Sequence, residues 1–444
     1  MNNGISFLLS LSILAPQLVR SESENTALTP KAPRPSQEST SPKSAPHQHA
    51  KIALLITDKS LQTAWKPFVE WKKKRGIDVM VTTTQEIVAK TEGPDLQEKI
   101  RIFVQDNIAK NKISWLILGG DSLPNGKGLV PDRDTFHSNM WGENTDIPTD
   151  IYYLSPKNWD ADGDGIYGES KDDRSAIAYP DGSVGLGRIP VRTSEDIAAY
   201  TDKVITWESN PPTGDYANSF VYTCTVGAAY AKVRKSWDDY VSKSWKLGTV
   251  SRYFADETPW DTEKPGDYEL DTTNWTKLFN NGKYSKMHFH GHGILQGWVT
   301  ENHKLFTAKN LANLRNGKHL PMITTVSCFT GHYDSKIDPS IVEAFLRKPN
   351  AGAIAIVAPC REGKPHFTDP QRDFPLMVEE GKLDGTTRTM TFFWSHGLEN
   401  NLTAGEALMS AKVALSEKAE QSANLHMCLC ELNLLGDPTL AVNP

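Results

Sequence analysis

Lys286-Met-His-Phe-His-Gly-His-Gly293 and Thr324-Thr-Val-Ser-Cys-Phe-Thr-Gly331 decide how this chain is read. Each has the look of a buried β-strand that stops at a reactive side chain, with glycine close behind. The first delivers His292 and the second Cys328, 328 − 292 = 36 residues later. That distance accommodates one crossover between neighbouring parallel strands. Such a unit brings both side chains to the carboxyl edge of one sheet, where open α/β proteins bind their ligands. A Cys beside a His points to a thiolate nucleophile with an acid and base at hand. A free thiol ionises near pH ~8.5, so it needs a neighbouring imidazole to lower that value. The same imidazole can then protonate the leaving amine. Glycine at the strand end lets the backbone approach a substrate and present N–H groups to an oxyanion.

Outward from this pair, the pattern is α/β. Ile52-Ala-Leu-Leu-Ile56, Asp78–Thr83 and Ile113–Leu118 read as strands. Helical spacing over Leu61–Arg75 and Leu96–Lys110 alternates with them. Gly76 closes the first helix as a C′ residue. Strands alternating with amphipathic helices predict a parallel sheet covered on both faces. A polar insertion runs from Ser122 to about Ser183. A strand at Val184–Pro190 and a helix from Ser194 to about Asn210 follow it. Asn210-Pro-Pro-Thr-Gly214 marks an internal boundary. Beyond it we expect strands at Phe220–Val226, Val250–Phe254, Lys286–His290, Met322–Val326 and Ala353–Val357. Helices are expected at Tyr230–Trp245, Asn274–Phe279, Ser340–Leu346, Thr386–His396 and Ala404–Gln421.

The bulk numbers narrow the class. A chain of 444 residues exceeds one small core. A net charge of −6 provides no basic field for nucleic acid. Ile5–Ala15 (ISFLLSLSILA) is too short to span a bilayer and suits a secretory signal, although Met1-Asn-Asn-Gly4 lacks the usual positive charge. Residues 1–21 are read as a signal peptide and 22–50 as a disordered Ser/Pro-rich linker. Residues 51–210 form an N-terminal α/β subdomain carrying the insertion, and 211–444 a C-terminal catalytic one. Cys224, Cys328, Cys360, Cys428 and Cys430 show no spacing of a disulfide framework or zinc ribbon. Cys428 and Cys430 would share a face on a strand.

Asp160-Ala-Asp-Gly-Asp-Gly165 sets carboxylates at alternate positions with glycine at the tight turn. This is the first half of a calcium loop, with Asp160, Asp162 and Asp164 as ligands. Position 12 is Lys171 rather than Glu, so Glu169 or Asp172 would have to complete a variant loop. The ion would be structural, pinning the insertion. His288, His290 and His292 alternate along one strand face, so a metal site there is the rival reading of that run.

Residues 51–444 resemble the gingipain-type cysteine peptidases, a caspase-like family (peptidase family C25). The matching blocks run in order: Leu54-Leu-Ile-Thr-Asp58, Trp65-Lys-Pro-Phe-Val-Glu-Trp-Lys-Lys-Lys-Arg-Gly-Ile-Asp78, Trp115-Leu-Ile-Leu-Gly-Gly-Asp121 and Thr149-Asp-Ile-Tyr-Tyr153. They continue through Trp159–Glu169, Gly185-Leu-Gly-Arg-Ile-Pro-Val-Arg-Thr193, Gly291-His-Gly293, Cys328-Phe-Thr-Gly331 and Asn433-Leu-Leu-Gly-Asp-Pro-Thr-Leu440. The resemblance implies a caspase-like α/β/α sandwich of two adjoining subdomains with mainly parallel sheets. It implies Cys328 as nucleophile and His292 as acid/base, with the N–H groups of Gly293 and Cys328 facing the oxyanion. The expected activity is that of a secreted, periplasmic or cell-surface endopeptidase. It would be a monomer acting on protein or peptide substrates, with no nucleic-acid partner, no stable membrane insertion and no organic cofactor. Relatives carry an acid that orients the His. The corresponding stretch here, Cys224–Lys235, has no carboxylate before Asp238. The triad acid is therefore unassigned. Lys232, Arg234 and Lys235 would favour an acidic P1 residue if they line the pocket. The alternative reading is a catalytically silent or self-processing binding module of the same fold.

Overall fold

The computed structural model describes residues 51–124, 126–138, 144–169, 173, 177–225, 245, 247–254, 268–300, 305–363 and 385–443. These all lie in one compact unit. We number the strands used below in chain order: β1 (Ile52–Thr57), β2 (Asp78–Thr83), β3 (Trp115–Gly119), β4 (Arg133–Ser138), β5 (Asn144–Thr149), β6 (Gly185–Ile189), β7 (Ser219–Cys224) and β8 (Thr249–Phe254). Next come β9 (Tyr268–Glu269), β10 (Lys286–His290), β11 (His292–Ile294), β12 (Gly297–Val299), β13 (Leu305–Thr307), β14 (Met322–Val326), β15 (Ala355–Pro359) and β16 (Leu432–Gly436). The helices used below are α1 (Lys66–Lys74), α2 (Thr84–Lys90), α3 (Leu96–Asn111), α4 (Ser194–Ser209), α5 (Thr272–Asn280), α6 (Ile341–Arg347), α7 (Gly385–Glu399), α8 (Ala404–Ala419) and α9 (Ala423–Glu431).

Among the described residues, eleven strands form one sheet in the order β9-β8-β7-β10-β14-β15-β16-β6-β3-β1-β2. All neighbours are parallel except β15 and β16. Both faces of the central strands are covered, which is why β1, β3, β14 and β15 are nearly continuous apolar or Thr runs with little alternation. The two expected subdomains thus share a sheet, four strands from one side of residue 210 and seven from the other. They meet where β16 lies beside β6. There an ideal Cβ on Gly187 would stand 2.7 Å from the Gly436 carbonyl, so the approach demands glycine.

Most expected elements fall where the pattern put them, and their ends have physical causes. Thr193 and Asp196 close a capping box on α4, as Ser340 and Glu343 do on α6 and Thr403 and Glu406 on α8. The first expected helix begins as a 3-10 turn over Gln62–Trp65 before α1. Cys428 and Cys430 correct an expectation, because they lie on helix α9 rather than on a strand. None of the five cysteines is in a disulfide. The helix expected at 230–245 lies outside the described residues but for Trp245.

Two of the small ribbons among the described residues bear on the argument. In the insertion, β4 and β5 form an antiparallel hairpin. Past β10, β11 to β13 make an antiparallel ribbon that begins at His292. Trp298 of this ribbon is buried, its ring 4.9 Å from Trp275, 5.1 Å from Phe289 and 5.3 Å from Phe345. This aromatic packing fastens the ribbon to the sheet edge.

Candidate active site

β10 and β14 are adjacent and parallel, with His290 opposite Val326. His292 and Cys328 each follow two residues later, so the chain leaves the same edge of the sheet at both. The turn after β10 is tied down on two sides. The Gly291 N–H donates to Val326 O at 3.1 Å, and Thr225 N–H donates to His290 O at 2.9 Å. Glycine is required here: a Cβ on Gly291 would lie 2.6 Å from Thr225 Oγ1. Gly293 packs directly on the nucleophile segment, where a Cβ would lie 2.4 Å from Cys328 O and 3.0 Å from Cys328 N. His292 is exposed and Cys328 half-buried. The chain breaks at Gly291, so His292 does not continue the strand face of its neighbours. His288 and His290 are buried, and His288 Nδ1 pairs with Thr324 Oγ1 at 2.7 Å. Among the described residues, the clusters whose ligand atoms converge exclude all three of these histidines.

A second loop braces Cys328. Phe329 N–H donates to Arg361 O at 2.6 Å, and Gly331 N–H donates to Pro359 O at 2.9 Å. Arg361 grips Asp334 with both terminal nitrogens at 2.9 and 2.7 Å. Such fork-to-fork pairs add geometric specificity. The Cys328 thiol donates a long contact to Gly363 O at 4.0 Å. Below it, the Thr325, Ser327 and Thr330 hydroxyls form a buried chain of 2.6 and 3.1 Å links. Phe329 has a φ of +60°, a left-handed conformation that costs a non-glycine residue about 1–2 kcal/mol. Strain of this kind gathers where surrounding contacts over-determine the backbone, as they do here.

The thiol is not activated in this arrangement. Burial pushes Cys328 up to about 11, the charge of Glu431 adds to this, and Glu362 contributes further. The hydrogen bond to Gly363 works in the other direction. The sequence expectation was an imidazole lowering the thiol value; carboxylates and burial dominate instead. His332 is held down to about 4 by burial and the Arg361 guanidinium, despite Asp334 3.3 Å away. The stretch expected to hold a triad acid, with Lys232, Arg234 and Lys235, lies outside the described residues after Thr225.

The ion pair that supports this loop from beneath was invisible in the sequence. Arg188, at the Gly-Leu-Gly-Arg block, is fully buried and holds Asp150 through 2.9 and 2.6 Å bonds. It also donates to the carbonyls of Gly120, Val130 and Pro131 and sits 4.7 Å over the Tyr333 ring. Tyr333 OH donates to Asp150 at 3.3 Å. Two ordered sequence blocks, at 149–153 and 185–193, are thus halves of one ion pair beneath the nucleophile loop. Their partnership is readable only in three dimensions.

The aspartate loop forms as a tight turn. Gly163 and Gly165 have φ of +79° and +84°, and their N–H groups donate to the two Asp160 oxygens at 2.7 and 3.3 Å. Oxygens of Asp160, Asp162 and Asp173 come within 4.8 Å of one another. Asp164 is outside that group, and its Oδ1 accepts the Ile166 N–H at 2.7 Å. Asp173 is buried, its value raised chiefly by burial, and its Oδ2 has no hydrogen-bond partner. Asp173, rather than Glu169 or Asp172, is the later carboxylate that converges on Asp160 and Asp162.

The sheet order, the flanking helices and the paired strand-end loops define a caspase-like α/β protein. The chain belongs to peptidase family C25, whose profile matches residues 47–443. Among curated proteins it is 25% identical over 316 residues to gingipain R2 of Porphyromonas gingivalis, covering 69% of this chain and 36% of that one. Gingipain R1 of Porphyromonas gingivalis matches at the same identity, with 27% of its length covered. The chain therefore spans about a third or less of the gingipains it matches. Among solved structures, the Arg-specific cysteine proteinase gingipain R aligns at a TM-score of 0.61 and 20% identity, over 88% of this chain and 78% of that one. The complex of the RgpB pro- and mature domains gives 0.62 at 20% identity, over 88% and 79%. No helix among the described residues is long and apolar enough to cross a membrane.

Proposed function

We propose that the chain is a secreted cysteine-type endopeptidase in which Cys328 is the nucleophile and His292 the acid/base. One observation carries this reading. Gly293, next to His292, lies against the Cys328 backbone at the edge where two neighbouring parallel strands end. Cys328 Sγ attacks the scissile carbonyl carbon while its proton passes to His292. The N–H groups of Gly293 and Cys328 receive the oxyanion. Collapse breaks the C–N bond, His292 protonates the amine, and water then hydrolyses the thioester. The thiol is neutral before substrate arrives, so its proton leaves only as attack begins. The test is incubation of the purified protein with a diverse peptide library, with Cys328→Ala as control. Cleavage by the wild type alone is expected; equal product in both samples sinks the reading. The high thiol value favours one rival, a silent or self-processing module. That rival predicts no library cleavage, with or without a cut in its own chain.

A structural calcium ion is proposed for the Asp160-Ala-Asp-Gly-Asp-Gly165 loop. Asp160 and Asp162 would hold it, Asp164 would shape the turn or add a ligand, and Asp173 would supply the position that Lys171 cannot. The unpartnered Asp173 Oδ2 supports this assignment. Calorimetry should record calcium binding by wild type and its loss in Asp162→Ala. Unchanged binding removes the assignment.

A further inference from the structure

Away from the candidate active site, β4 of the insertion meets α9 across a buried polar cluster. His426 and Cys430 stand four residues apart on α9, so one helical turn stacks them on the same face. His137 comes from β4, its ring centroid 4.8 Å from that of His426. Cys430 Sγ is 3.9 and 3.7 Å from the two ring nitrogens of His426. One ligand atom from each of the three residues lies within 4.8 Å of the others. The exposure of the three side chains is 3%, 3% and 0%. Tyr179 OH, from the far end of the insertion, contacts His426 Nδ1. Thr135, two residues before His137 on β4, hydrogen-bonds the Cys430 thiol. Lys412 and Glu431 are the charged groups acting on that thiol.

We propose that His137, His426 and Cys430 form a structural site for a zinc-class divalent cation, with Tyr179 at the fourth position. Two imidazoles and a thiolate are the donor set that selects zinc over calcium or magnesium. The burial of all three fits a closed structural site rather than a catalytic one with an open position. Thr135 would serve as the outer-shell donor to the thiolate sulfur. Binding displaces the Cys430 proton to solvent, and the cation joins β4, the 177–180 segment and α9. The insertion is then clamped to the C-terminal helix at a point distinct from the aspartate loop.

Cobalt(II) reports such a site directly. The full chain is stripped with chelator, supplied with saturating calcium, and titrated with cobalt(II) alone. One equivalent should produce a sulfur-to-cobalt charge-transfer band and the strong visible bands of tetrahedral cobalt. Zinc should bleach both. Cys328→Ala must keep the bands, which excludes the nucleophile as the sulfur ligand. Cys430→Ser should abolish the charge-transfer band. His137→Gln should keep it but weaken binding at least about 100-fold, since even outer-shell losses cost about 10–100-fold. If Cys430→Ser fails to fold, His137→Gln and the wild type decide. Absence of the bands in wild type, their persistence in Cys430→Ser, their loss in Cys328→Ala, or unchanged affinity in His137→Gln overturns the proposal. The readout is independent of peptidase activity.

Discussion

At the residue scale, glycine sets how closely the two strand-end turns can approach. The placement of His292 and Cys328 at one sheet edge was legible because each follows a strand run, with glycine close behind. What makes Gly293 obligatory was not legible, because it depends on a backbone 35 residues later in the chain. A methyl group there would stand 2.4 Å from Cys328 O, which backbone cannot yield cheaply. Gly293→Ala should therefore lower peptide hydrolysis by about 10²–10³-fold, the typical loss of one oxyanion donor, while the protein stays folded. Hydrolysis rates and circular dichroism on the same preparation check this. Wild-type activity in the variant would detach Gly293 from the chemistry. Phe329 belongs to the same scale. Nothing in the letter F marks a left-handed φ; the Arg361 carbonyl and the buried hydroxyl chain impose it.

At the scale of elements, the ordered motifs turn out to be structural joints. Gly185-Leu-Gly-Arg188 ends β6 with a buried guanidinium, and Thr149-Asp150 ends β5 with its carboxylate. Removing one member strands the other charge in a dry interior, which typically costs about 3–5 kcal/mol. Arg188→Met should lower stability by about that amount, and Arg188→Met with Asp150→Leu should regain part of it. Urea denaturation of the three proteins measures this; a single variant as stable as wild type refutes the joint. The pairing escaped sequence reading because its members lie 38 residues apart, Arg188 on a strand of the main sheet and Asp150 just past the end of the β4–β5 hairpin. α9 escaped for another reason. On a strand Cys428 and Cys430 would share a face, but Ser422 Oγ accepts the Leu425 N–H and starts a helix there.

At the scale of the whole molecule, burial of neutral imidazoles makes the fold sensitive to acid. His290 is held down to about 4, first by burial and then by His292, from an ordinary value of 6.5. The unfolded chain protonates it near 6.5 and the folded chain only near 4. Its contribution is complete above pH 6.5 and is lost as pH falls through that window, at about 1.4 kcal/mol per unit. Asp134 opposes this, because burial and Asp334 raise it to about 6, so its contribution fades as pH rises instead. The comparison is therefore differential: His290→Leu should flatten the loss of stability between pH 6.5 and 4. Parallel denaturation curves for variant and wild type across that range would refute it. Composition and periodicity by themselves determined the α/β class, nearly every sheet strand and the edge where the Cys–His pair emerges. Those features rest on interactions local to a strand, a turn or a cap. Only the tertiary structure decided that both halves share one sheet. It also decided that β16 joins them antiparallel to β15, that Asp173 converges with Asp160 and Asp162, and that burial raises the Cys328 thiol. Each of these depends on which distant groups are buried together, and burial is a property of the packed chain rather than of any segment in it.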